Sequence, residues 1–138
     1  MQAIGKWTRG FETVLTDERT HRVTVDLPVD EGGRSAGPSS LELAILALAG
    51  GLTTTFVQIA RRRRLAVQGL AIALEGERTD SPCGIARVRG TLRVRTRGPS
   101  EEVEGILHLA LRESPVAAIF ARAGIEVEVT PLLQPPTL

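Results

Sequence analysis

The sequence predicts an α+β domain, residues 1–138, in which antiparallel sheets wrap one long central helix. Three observations predict it. Residues 39–64 read as a helix that is apolar on every side over its first half, so it has to be enclosed. Apolar residues alternate at period two both before and after that helix. Turn-forming residues cut the flanking stretches into strand lengths. At 138 residues the chain is long enough for one substantial core.

Residues 1–27 read as a β-meander of three strands, 2–8, 11–16 and 20–27, with Val23, Val25 and Leu27 on one face of the third. Residues 28–38, rich in Gly, Asp and Ser, form a loop. Ser39 followed by Glu42 is a capping box: the hydroxyl accepts from one orphan amide and the carboxylate reaches back to another. The helix then runs through Leu41, Leu52, Phe56 and Ile59 to the arginines at 61–64, whose charges complement the negative end of its dipole. Gly50 and Gly51 interrupt it, each costing about 1 kcal/mol relative to alanine. Another backbone, a ligand or a missing side chain is expected at that level.

Residues 65–131 continue as ββααβ. The strands 65–77 and 85–97 are joined by a loop at 79–84. In the second strand Val88, Gly90, Leu92 and Val94 face one way, and Arg87, Arg89, Arg93 and Arg95 the other. Glu75 and Glu77 on the neighbouring strand, with Glu126 and Glu128 on the last, supply cross-strand charges, so the arginine stripe reads as a paired surface rather than a nucleic-acid face. Gly98 and Pro99 open a second helix with a buried stripe of Val103, Ile106, Leu107 and Ala110. Ser114 and Pro115 cap a short third helix that Gly124 ends. Ile125, Val127 and Val129 make a last strand, and the tail at 134–138 should be loose.

Composition narrows the function classes. A net charge of +1 gives no push toward nucleic acid or anionic membrane. The single cysteine, Cys83, excludes an intrachain disulfide, and the isolated His21 and His108 offer no metal site. His108, four residues after Glu104, reads as a solvated partner of that carboxylate. No cofactor is expected. Glu42, Thr53, Thr54, Thr55 and Gln58 dilute the long helix, which reads as a soluble core element rather than a membrane span. The first ten residues lack the apolar run of a signal peptide, so a cytoplasmic location is expected.

Three segments then carry a resemblance. MQAIGKWTRGF at the start, GPSSLELAILALAGG at the long helix and ESPVAAIF at the third helix resemble the OsmC/Ohr family of peroxide-stress proteins, closest to its OsmC-like branch. The resemblance implies an intertwined homodimer in which strand layers of two chains wrap two central helices. It also implies reduction of hydroperoxides, preferably organic ones, by a cysteine pair that lipoyl-type dithiols recycle. One family cysteine lies midway along the central helix, and the other at the start of the third, where the helix terminus favours thiolate. Those positions fall here on Gly51 and Ser114. The carboxylate that assists the Ohr reaction falls on Leu41, beside Glu42, and Arg9 lies near the family's arginine.

The resulting expectation is a homodimer without catalytic residues, binding a small apolar or thiol ligand in a pocket formed by Gly50, Gly51, Leu52, Thr55 and Ser114, with Glu42 and Arg9 beside them. Two alternatives stand next to it: a thiol-dependent peroxidase using Cys83, and a purely structural dimer.

Overall fold

Ser39 and Glu42 start the long helix by the reciprocal exchange their spacing requires. In the computed structural model, which describes residues 1–137, the Ser39 amide donates to Glu42 Oε2 at 2.7 Å and the Glu42 amide donates to Ser39 Oγ at 3.2 Å. The helix, α1, spans Ser40–Arg62. The chain divides into two compact units, Met1–Ala44 and Ile45–Leu138, and the boundary falls inside α1.

The first unit holds a meander of β1 (Ile4–Arg9), β2 (Glu12–Thr16) and β3 (Arg22–Val25), paired antiparallel in that order. Its following loop is tied to one side chain. Asp26, only 3% exposed, accepts from the amides of Leu27 at 2.8 Å, Arg34 at 3.0 Å and Ala36 at 3.2 Å. Burial opposes the charge on this carboxylate, but the amides of Ala36, Arg34 and Leu27, with the Arg34 guanidinium, outweigh it and hold the pKa below the ordinary 3.8.

The second unit carries the rest of α1, the hairpin β4 (Val67–Asp80) and β5 (Cys83–Thr96), the helices α2 (Ser100–Glu113) and α3 (Pro115–Arg122), and β6 (Glu126–Gln134). Its sheet has the order β4-β5-β6, with β4 and β5 antiparallel and β6 parallel to β5. A parallel partner needs a crossover, which α2 and α3 provide. Alternation on β5 does what the sequence requires: Val88, Leu92 and Val94 are buried. Leu92 and Val94 join Phe56, Ile59 and Ala60 of α1 and Val103, Ile106, Leu107 and Ala110 of α2 in one core. Gly90, on the same face, has no room for a side chain, because a Cβ there would collide with Ala73 O and Leu74 Cδ2.

Four expectations are refined. The hairpin loop shrinks to Ser81 and Pro82, because Asp80 pairs with Cys83 and Thr79 with Gly84. The last strand extends to Gln134 through its parallel pairing, so the tail expected to be loose begins later, and its final residue, Leu138, lies outside the described residues. Glutamates compensate only half of the arginine stripe. Arg87 pairs with Glu126 at 3.6 Å and Arg89 with Glu128 at 3.5 Å, whereas Arg93 and Arg95 face Ala71 and Gly69 on β4 and Leu132 and Gln134 on β6. Finally, the apolar helix is not enclosed within this chain: Leu48, Leu52, Phe56 and Ile59 are buried, but Leu46 is 57% exposed.

Two measurements test these contacts. Gly90→Ala should lower the urea midpoint, with a loss of about 1–3 kcal/mol from overpacking against β4. The stability that Asp26 contributes is present above pH 3.8 and lost as pH falls through its lower folded value. The stability gap between the wild type and Asp26→Asn should therefore be widest above that pH and narrow below it in denaturation curves.

Candidate functional site

Ser114 is the joint between α2 and α3, and its conformation follows from having to end one helix and begin the next. Its amide donates to Ala110 O at 2.9 Å, closing α2. Its φ of −63° and ψ of 121° are extended, as an N-cap requires, and its Oγ accepts from the Ala117 amide at 3.3 Å. Pro115 occupies the first helical position, where a missing N–H costs nothing. The side chain is wholly buried.

Facing it is the middle of α1. A Cβ built on Gly51 would stand 3.2 Å from Ser114 Oγ and 3.0 Å from both Cβ and Cγ2 of Val116. Ordinary bond lengths and angles put a Cβ about 3 Å from the far sulfur of a disulfide. Sulfur at both positions would thus be within bonding range, and the sequence-assigned pair is brought together in space. Val116 is the neighbour that sequence reasoning missed. It sits in the ESPVAAIF segment, but only the close approach of α3 to Gly51 reveals that its side chain takes the space a residue at 51 would use.

The other candidate residues are placed as follows. Leu52 and Thr55 are buried on the core side of α1, while Gly50 is exposed, and among the described residues no heavy atom beyond its own helix lies within 4 Å of a Cβ built there. Glu42 is engaged in the capping box, where the Ser39 amide first and its hydroxyl second hold the pKa below 4.5. Arg9 pairs with Glu12 at 3.5 Å. Cys83 is exposed beside the hairpin turn. Among the described residues no group of His, Cys, Asp and Glu could hold a metal ion.

The chemical capacity of the pair follows from its atoms. Thiol peroxidases need a thiolate to attack the peroxide oxygen, forming a sulfenic acid, and a second thiol to resolve it as a disulfide. Gly51 supplies no side chain, and Ser114 offers a hydroxyl, engaged in the helix cap, in place of a thiol.

The OsmC-like protein family matches residues 31–130, nearly three-quarters of the chain and including both positions. The chain belongs to that family. Among solved structures, an OsmC-like protein from Mycoplasma pneumoniae is 12% identical with a TM-score of 0.85, covering 96% of this chain and 95% of its own. An organic hydroperoxide resistance protein OsmC from Legionella pneumophila is 16% identical with a TM-score of 0.73, covering 95% and 96%. An organic hydroperoxide resistance protein from Vibrio cholerae, with captopril bound in one of its active sites, is 16% identical with a TM-score of 0.70, covering 95% and 91%. At these identities the likeness establishes the OsmC-like fold. No curated protein matches the chain. Helix α1 is long and apolar enough to cross a membrane by length and composition, but its buried Leu48, Leu52 and Phe56 mark it as the core helix of this fold.

The adjacency is directly testable. A Gly51→Cys, Ser114→Cys double variant, which keeps Cys83, should titrate three thiols when reduced and one after mild oxidation. Three thiols after oxidation would mean that the positions are not neighbours.

Proposed function

We propose that this OsmC-like chain is a homodimer that binds a small apolar or thiol-bearing ligand and does not reduce hydroperoxides. The observation that carries the reading is the sulfur-free pair: Gly51 and Ser114 stand within side-chain reach, and neither can be oxidised and recycled. The fold around them is intact, so what has gone is the redox chemistry rather than the scaffold.

Two features support the dimer and its ligand. Leu46 and Gly50 lie four residues apart on one face of α1, the first largely exposed and the second open. An apolar strip with a glycine in it suits close approach of a second helix. The Vibrio cholerae relative binds captopril, a small thiol, in an active site of its own. In this chain Val116 closes the notch at Gly51, so the ligand approaches from the open Gly50 side, with Leu52 and Thr55 behind the helix. The Val116 contact also favours a second reading, in which the dimer is structural and holds no ligand.

A steady-state assay with cumene hydroperoxide and dihydrolipoamide should show no turnover above the protein-free rate, with Cys83→Ser unchanged. Turnover that disappears in Cys83→Ser overturns the non-catalytic reading. Titration with captopril separates the remaining two: saturable binding by Cys83→Ser supports the ligand, and its absence supports the structural dimer.

A further inference from the structure

Where α1 ends and α2 begins, the second unit carries an open cleft of about 320 Å³, at the small end of the range for small-molecule sites. It owes nothing to Gly51 or Ser114. One wall is the connection from α1 to β4, with Arg64, Leu65 and Ala66; the other is the connection from β5 to α2, with Arg97 and Gly98. Thr96 ties the walls together: its hydroxyl donates to Ala66 O at 2.8 Å and accepts from the Gly98 amide at 3.0 Å. These two bonds fix the spacing of the walls.

Local geometry places three of the lining residues, Arg64, Gln68 and Gly98. The Leu65 amide reaches Ala60 O at 2.9 Å and the Arg64 amide reaches Arg61 O at 3.1 Å, the pattern of a Schellman motif, which puts Arg64 in the left-handed position usually held by glycine, at φ 60°. Gln68 is the extra residue where the β4–β5 register shifts between Val67 and Gly69, a bulge that brings it to the cleft. Gly98 packs so closely on Leu65 Cδ1 that a side chain there would collide with it.

The charges are unequal. Among the described residues no ion pair uses Arg64 or Arg97, although Arg62 next door pairs with Glu113 at 3.0 Å. Glu102 also lines the cleft, so its lining residues, two arginines and one glutamate, carry a net formal charge of +1. Arg95, whose guanidinium lies over Gly69, and Arg93 are the two stripe arginines that no glutamate faces, and they add positive potential at this end of the sheet.

We propose that this cleft binds a small monoanionic carboxylic acid, its carboxylate held by Arg64 and Arg97 and its short apolar chain lying against Leu65 and Ala66. The guanidinium fork matches a carboxylate, and one net positive charge suits a monoanion better than a phosphate dianion.

The test is a titration of the full-length protein with hexanoate, read by amide chemical shifts. Saturable shifts centred on the Ala66 and Gly98 amides are expected, with hexanamide at least about tenfold weaker. Arg64→Gln and Arg97→Gln should each weaken hexanoate by about tenfold or more, while Arg61→Gln, outside the cleft, should not; unchanged spectra elsewhere confirm that the variants fold. Equal affinity for hexanamide, shifts centred away from Ala66 and Gly98, binding of inorganic phosphate in preference to hexanoate, or full affinity in Arg97→Gln would each overturn the proposal.

Discussion

The second unit depends on the seating of one face of α1 against β5 and α2. Phe56 is wholly buried there, with Ile59 and Ala60 one turn further on, against Leu92 and Val94 from the sheet and Val103, Ile106 and Ala110 from α2. Full burial of a side chain of this size contributes about 1.5–3 kcal/mol, so these residues dominate the driving force. Once that face is fixed, the rotation of α1 is fixed too. Gly51 must then look at the α2–α3 joint while Gly50 looks away from it.

Those orientations give the two glycines different meanings. A Cβ on Gly51 would press on Val116 and Ser114, so its lack of a side chain lets α3 pack closely. Among the described residues nothing beyond its own helix comes within 4 Å of a Cβ built on Gly50, which leaves an open strip on the helix. A glycine pair in a buried helix is costly in isolation. Here one member is matched by an intrachain contact and the other remains available to a second molecule. Ser114, for its part, is well suited to a purely structural role, because its amide closes α2 and its hydroxyl opens α3 from a site with no solvent.

Much of this was legible in the sequence because it rests on local rules. The Ser39–Glu42 box, the alternation that buries Val88, Leu92 and Val94, and the Ser114 cap each depend on residues a few positions apart. The Gly51–Ser114 adjacency was legible only through the resemblance to the OsmC/Ohr family, since nothing in local spacing brings those positions together. Long-range geometry accounts for what was missed. The parallel register of β6 decides which arginines gain a glutamate, and it leaves Arg93 and Arg95 facing leucine and glutamine. The bulge at Gln68 and the left-handed Arg64, which shape the cleft, arise from ladder register and helix termination rather than from residue type. Asp26 gave no signal either, because a carboxylate that gathers backbone amides from a later loop is recognisable only once the loop has closed.

An intact OsmC-like fold with no thiol chemistry left at its helix joint should be inert toward peroxide. Intact-mass spectrometry of the wild-type protein, after brief exposure to one equivalent of cumene hydroperoxide, tests this most directly. The expected result is a chain of unchanged mass with Cys83 still reduced. Rapid stoichiometric oxidation of Cys83, to a sulfenic acid or to a disulfide between two chains, would contradict it.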